Sequence, residues 1–431
     1  MPQARTVDLT ILHAAEMIPC QGSPEGVRGS DLNRFVAISD GALAVDDGKI
    51  VAVGNTTTIT ARFHGRRVID AAGCLVSPGL VDPHTHLMFA GSRHDEWEDK
   101  VLGRSVSAGL GGGIMRTVGK TRAADDETLV NKALRDLDLM AAHGTTTVEA
   151  KTGYGLSRQD ELRLLRLISG LKHAVEVVPT FLGAHVVPSE YAHRRADYVD
   201  LVKEMLPDVR TQASYCDMCC DPSCFTPEEC LKIGTAGRDL GMGIRVHADQ
   251  TGECGGAQTA ARLGAASADH LDYTTDQGFA AMAEAGTVAT LLPGVTHHLM
   301  EMTPKVTELN LVGAEKPFMP LVARRAIDAG GIVALATNYN PGTSLTLSMQ
   351  EIMRLAARLF RLSYAEIWHL CTINAAKALD RGLDRGSLEV GKRADIVIWS
   401  VPEHGMVINR FGVNLVDTVI IQGRVAVEGK A

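Results

Sequence analysis

Between about Cys74 and Arg385, short apolar runs alternate with longer helix-periodic stretches, and this alternation constrains the fold more tightly than any single motif in the 431 residues. Strand and helix in regular succession favour a parallel sheet with helices packed outside it. Eight runs can be counted: Val76 to Val81, Gly144 to Lys151, Val175 to His185, Tyr215 to Cys220, Gly243 to His247, Ala268 to Leu271, Val288 to Pro293 and Ile332 to Asn338. Eight strands suit a closed (β/α)8, TIM-like barrel, whose chemistry sits at the C-terminal ends of the strands. The chain ends read differently. Ala42 to Val45 and Ile50 to Val53 flank Asp46-Asp47-Gly48-Lys49, a hairpin pattern, and Ile396 to Trp399 with Thr418 to Val427 offer further short strands. The expected organisation is α/β: a barrel over 74–385 and a small β-sandwich domain built jointly from 1–73 and 386–431.

The residue that closes each run is therefore the one to inspect. After the first run comes Asp82-Pro83-His84-Thr85-His86. Two imidazoles two residues apart on an extended chain fall on one side, close enough to share a metal ion. Alone, the pair suits two surface or core histidines equally well. The third run ends in His185, the fifth in His247 followed by Asp249 and Gln250, the sixth at His270 and the eighth at Asn338. Fifteen histidines placed at random would not be expected to close four of eight runs. Convergence at one barrel face is what a three-histidine metal site with an open position requires.

Composition excludes several other classes of function. A net charge of −8 and a hydrophobic share of 45% provide a sizeable core but no basic field for nucleic acid or an anionic membrane surface. No window approaches the roughly 18 uninterrupted apolar residues of a membrane span, and Met1 to Asp8 lacks the pattern of a secretory leader. The cytoplasm is the expected compartment. Nine cysteines, an odd number, are expected to be mostly reduced thiols. The cluster Cys216, Cys219, Cys220, Cys224 and Cys230 is read as buried thiols, because a strand running into a loop lacks the paired knuckles of a structural zinc module. Gly119-Lys120-Thr121 looks like the end of a phosphate loop, but Ile114 stands where its first glycine belongs. Gly111-Gly112-Gly113 is expected in a loop over the site.

On these residues the chain resembles the amidohydrolase superfamily of metal-dependent hydrolases and, within it, the imidazolonepropionases, which open an imidazolone ring in histidine degradation. The resemblance spans nearly the whole chain. Its carriers are Pro78 to His86, the Arg93 segment, Lys151 to Leu156, Val178 to His185, His247 to Gln250 and Asn340 to Thr343. The first is shared by the superfamily, and the others belong to the narrower family. The resemblance implies that His84, His86 and His247 bind one divalent metal, zinc first with iron or manganese as alternatives, and that residue 338 is the fourth protein contact. A second metal is not expected, because strand four ends in cysteines and offers no bridging lysine. The resemblance further implies that Arg93, Tyr154, His185 and Gln250 hold a small-molecule substrate with a propionate tail, that Asn340, Gly342 and Thr343 contact substrate or product, and that His270 orients the attacking water or stabilises the oxyanion. A homodimer is common in the family. The residue types agree: a guanidinium fork suits a propionate, and neutral donors and acceptors suit the ring. Taken singly, Arg93 also suits a solvated loop charge, Tyr154 packing beside glycines, and His270 a hydrogen-bonded support.

Two departures bear on function. The family places aspartate where this chain has Asn338, in Ala336-Thr337-Asn338-Tyr339-Asn340-Pro341-Gly342. An amide oxygen can approach a metal but cannot take a proton from water and pass it to a leaving nitrogen, and Gln250 cannot serve as that base either. Slow turnover or none is expected. The change reads as a substrate trap in an otherwise intact site, a natural variant with altered chemistry, or a degenerate small-molecule binder. The segment Gly294 to Met302 is also less apolar than in the family. That leaves a second substrate open: 3-(5-oxo-2-thioxoimidazolidin-4-yl)propionate, from which a desulfhydrase would release hydrosulfide.

Overall fold

The computed structural model describes residues 4–104, 112–300 and 322–429. Gly111, Glu301 and Met302, singled out above, lie outside the described residues. Among the described residues, sixteen strands fall into two sheets. The N-terminal strands are β1 (Arg5–Met17), β2 (Ile38–Asp46), β3 (Lys49–Asn55), β4 (Phe63–Asp70) and β5 (Leu75–Pro78). The barrel strands are β6 (Leu80–Asp82), β7 (Thr145–Lys151), β8 (Glu176–Ala184), β9 (Tyr215–Cys220), β10 (Gly243–Ala248), β11 (Ser267–His270), β12 (Val288–Leu291) and β13 (Val333–Leu335). The C-terminal strands are β14 (Ile396–Trp399), β15 (Val416–Ile421) and β16 (Arg424–Val427).

Both chain ends pair into one sheet of order β16-β15-β14-β5-β1-β2-β3, with β4 also on β1. Its two hairpins close on Asp47-Gly48 and Gln422-Gly423. All four of these residues have positive φ, the twist that two-residue turns need. Leu9, Ile11, Leu43, Val45 and Ile50 from the N-terminal strands share a buried core with Leu388, Ile396, Ile398 and Ile420 from the far end of the chain.

The eight parallel strands β6 to β13 pair in sequence order. One expectation is corrected. The first apolar run is not a single barrel strand: it divides at Gly79. Leu75–Pro78 pairs with β14 and β1 of the terminal sheet, and only Leu80–Asp82 enters the barrel. The Gly79 N–H donates to the Asp395 carbonyl at 2.9 Å, and the next residue, Leu80, donates to the Gly144 carbonyl at 2.9 Å. A Cβ at Gly79 would lie 2.3 Å from Thr146 Oγ1. All of 76–81 is buried, so the run read as one strand although Pro78-Gly79 marks the break.

Side-chain caps start the helices that follow several strands. Ser157, Thr226, Thr275 and Ser348 each accept a backbone N–H from the first turn of the helix they open. The Gly119-Lys120-Thr121 stretch lies inside the helix Gly113–Ala123, so it is no phosphate loop. No helix among the described residues is long and apolar enough to cross a membrane.

β13 and β6 do not form a regular ladder. The seam is closed by a Thr85–Tyr339 bridge, with the Asn338 N–H donating to the His84 carbonyl at 3.0 Å and the His86 N–H to the Tyr339 carbonyl at 2.9 Å.

Replacing Gly79 with alanine should destabilise the protein by about 1–3 kcal/mol through overpacking. A lowered thermal midpoint, partly restored by Thr146→Ala in the same chain, is the expected calorimetric result.

Candidate metal centre and substrate pocket

His84 and His86 follow β6, and His247 lies near the end of β10. These three residues bring one ligand atom each within 4.8 Å of one another, all buried. It is the only group of this kind among the described residues, so the cysteine cluster forms no such centre; its thiols are free, and all but Cys224 are buried. Each of two imidazoles is backed by a carboxylate. His84 Nδ1 lies 2.6 Å from Asp269 Oδ2, and His247 Nδ1 lies 3.2 Å from Asp217 Oδ1. Ionised carboxylates only accept, so both Nδ1 atoms carry the proton and both Nε2 atoms keep a lone pair.

Among the described residues, His84 Nε2, His86 Nδ1, His270 Nδ1 and Asn338 Oδ1 are buried with no hydrogen-bond partner. An unsatisfied buried polar atom costs on the order of 1–3 kcal/mol. Several at one barrel mouth, beside three converging imidazoles, fit a divalent cation. Burial, followed by the charge of Lys151 and the other imidazoles, pushes His84 well below the ordinary histidine range; burial and His185 do the same to His86. Imidazoles held neutral are in the state in which they ligate.

The other expected residues fall into two groups. His185 stacks on His86 with ring centroids 5.0 Å apart and donates from Nδ1 to the Gly153 carbonyl at 2.9 Å. Tyr154 packs 5.6 Å from His86 and 5.5 Å from His185, its phenol held neutral by burial. His270 sits 5.3 Å from His247 and 5.6 Å from His84, on backbone with φ +78. Burial pushes both His185 and His270 down to about 3. Asn338, also at positive φ, reaches Thr343 Oγ1 with its amide nitrogen at 3.4 Å.

The second group serves the surrounding loops. Asn340 Oδ1 accepts from the Gly342 and Thr343 N–H groups at 2.8 Å each, and its amide nitrogen donates to the Asn338 carbonyl at 2.7 Å. These contacts brace the turn that presents Asn338. Gln250 is half-buried on the loop after β10. Its neighbour Asp249 is an anchor: it accepts from the Gly256 N–H at 2.9 Å and Thr274 Oγ1 at 2.8 Å. Arg93 donates from Nε to Glu96 at 2.8 Å, and its Nη1 lies 2.3 Å from where a Gly342 Cβ would stand. Only glycine leaves the guanidinium that space. A cavity of about 470 Å³ opens beside it, lined among others by Trp97, His298, Gly342 and Thr343. The three clustered histidines do not line it.

Sequence reasoning passed over Glu149, Lys151, Asp217, Arg245 and Asp269, all fully buried. A signal was present. Charged residues at alternate positions of buried parallel strands, in phase with His247, have no place among the aliphatic layers of an ordinary barrel.

A (β/α)8 barrel with imidazoles gathered at its strand ends defines the class of metal-dependent barrel hydrolases. The Amidohydrolase family profile matches residues 75–426, and an imidazolonepropionase-like composite domain profile of bacteria matches residues 41–65. Imidazolonepropionase of Symbiobacterium thermophilum is 44% identical over 99% of both chains, and that of Thermoanaerobacter pseudethanolicus 43% over 91% of both. The fold is also shared with an adenosine deaminase from Xanthomonas campestris solved with bound zinc, at 20% identity and a TM-score of 0.70 over 99% of this chain and 94% of that one. The chain belongs to the amidohydrolase family and, within it, to the imidazolonepropionases. It is a hydrolase that acts on a cyclic amide.

A pH dependence follows for the metal-free protein. An unfolded imidazole titrates near ~6.5, whereas His185 and His270 stay neutral in the fold down to about 3. Their contribution is complete above the unfolded value and is lost as pH falls from there toward the folded one. The thermal midpoint should decline through that window, and less steeply in a His185→Gln, His270→Gln double variant.

Proposed function

We propose that the chain opens the ring of 4-imidazolone-5-propanoate to N-formimidoyl-glutamate, with one divalent metal held by His84, His86 and His247 and Asn338 beside them. The observation that carries this reading is the convergence of three buried imidazoles at the barrel mouth, in a chain 43–44% identical to imidazolonepropionases. Zinc is the first choice, with iron or manganese next, because three imidazoles and an oxygen suit several divalent ions. When bound, such an ion supplies a nucleophilic water near neutral pH and polarises the ring carbonyl.

The chain's own groups do the rest. Glu96 engages Arg93 through Nε, leaving the terminal nitrogens for the two oxygens of a propionate. Tyr154 and His185 face the ring as neutral partners, with His185 Nδ1 fixed by Gly153 and its Nε2 left as an acceptor. Gln250 offers a further neutral contact, and Asn340, Gly342 and Thr343 frame the far side. The water oxygen bonds to the ring carbonyl carbon, the bond from that carbon to the ring nitrogen breaks, and the nitrogen leaves protonated within the formimidoyl group. Asn338 has no basic oxygen to carry that proton. His270, whose Nδ1 has no partner, orients the water or steadies the developing oxyanion, and turnover is slow or absent without a carboxylate at position 338. A cytoplasmic location rests on composition, and a homodimer on the resemblance.

The test is a side-by-side assay of the metal-reconstituted chain and Asn338→Asp, following ring absorbance with imidazolone propionate and its 2-thioxo analogue. Restoring the carboxylate should raise kcat on the imidazolone by roughly 10²–10⁴. Hydrosulfide release from the thioxo compound would move the assignment to a desulfhydrase. Silence from both proteins would leave a non-catalytic binder. In the active form, Arg93→Met should raise KM at least tenfold with a smaller change in kcat, because a tail contact binds substrate and transition state alike.

A further inference from the structure

Behind His84 and His247 lies a layer of five charged side chains, each with no exposed surface: Glu149, Lys151, Asp217, Arg245 and Asp269. Lys151 Nζ is 2.7 Å from both Glu149 Oε1 and Asp217 Oδ2, and 3.8 Å from Asp269 Oδ2. Arg245 reaches Asp269 Oδ2 at 3.2 Å and donates to the carbonyls of Pro83 at 2.7 Å and Ala378 at 2.6 Å. Asp269 Oδ1 accepts from Ser267 Oγ at 2.6 Å. Asp217 therefore touches Lys151 with one oxygen and His247 with the other. Asp269 joins Arg245 to His84, and Arg245 also grips the residue preceding His84.

We propose that Asp217 and Asp269, set in place by Lys151 and Arg245, are positioning residues that aim His84 and His247 and hold a divalent cation at this barrel mouth by charge. The proposal rests on the metal reading above. Its first part is geometric: each carboxylate fixes the tautomer and rotation of one imidazole, and each basic side chain fixes the carboxylate. Its second part follows from Asn338. An imidazole that ligates brings no charge of its own, and neither does the amide of Asn338. Three carboxylates against two cations leave the layer formally at −1, so it supplies the anionic charge that a carboxylate at position 338 would otherwise give. Burying five charges is a poor way to stabilise a fold, since apolar residues of similar volume commonly do as well or better. A role toward the cation accounts for that cost.

The test is zinc affinity, read by competition with a chromophoric chelator, alongside the thermal midpoint of the metal-free protein. Asp217→Asn and Asp269→Asn preserve volume and an accepting oxygen while removing the charge. Each should weaken zinc binding 10- to 100-fold. Because removing one partner of a buried pair can unfold the protein, Lys151→Met/Asp217→Asn is measured as well. Its metal-free midpoint should stay near the parent's while its zinc affinity falls by a similar factor. Affinities within threefold of the parent in these folded variants would overturn the proposal, as would an affinity loss that merely tracks the metal-free midpoint. A parent chain that takes up no zinc would overturn the metal reading with it, whereas failure of ring opening alone would leave the zinc result standing.

Discussion

The barrel closes through its functional loops. Only three residues of β6 and three of β13 are in strand conformation, too few to seal the cylinder by themselves. Closure falls to the segments just beyond them, where Thr85 bridges Tyr339 and the backbone of Asn338 donates to His84. The same amide groups that complete the sheet thus set the spacing of His84, His86 and Asn338. Around this seam the loop 338–344 is braced by Asn340, whose side chain meets three groups of its own turn. The seam of the barrel and the spacing of the site are here one feature.

Beneath the mouth, the barrel departs from an aliphatic interior. Arg245 pairs in register with Asp217 in β9, and His247 sits opposite Asp269 in β11. Charge from four strands meets at one level because side chains two residues apart share a face. Burial pushes Glu149 above the ordinary carboxylate range. Asp217 and Asp269, pushed the same way by burial, are held below it by His247 and Lys151 in one case and by Arg245 and Lys151 in the other. Imidazoles above and carboxylates held by Lys151 and Arg245 below are the arrangement on which the proposed cation site rests.

The parts of the site differ in how far they could be read beforehand. His84 and His86 stood out because their spacing matches the strand period, and His247 because it closes a run. His185 also closes a run, but its role, like those of Arg93 and Tyr154, rested on resemblance, since each residue type alone has several ordinary uses. Asp249 looked as prominent as Gln250, yet its carboxylate caps the backbone of its own loop and the helix beyond. The division at Gly79 carried a signal in Pro78-Gly79, but apolar residues on both sides report burial and say nothing of which sheet does the burying.

By itself the sequence determined the alternation of strand and helix, the joint small domain of the two ends, the histidines at strand ends and the amide at position 338. These follow from local periodicity and from residue chemistry, both of which can be read along one dimension. The tertiary structure alone decided that Asp269 backs His84 across 185 positions, that Lys151 meets Asp217, and that Gly342 makes room for Arg93. Such contacts depend on strand register and barrel closure, which bring residues together in a way no local pattern records.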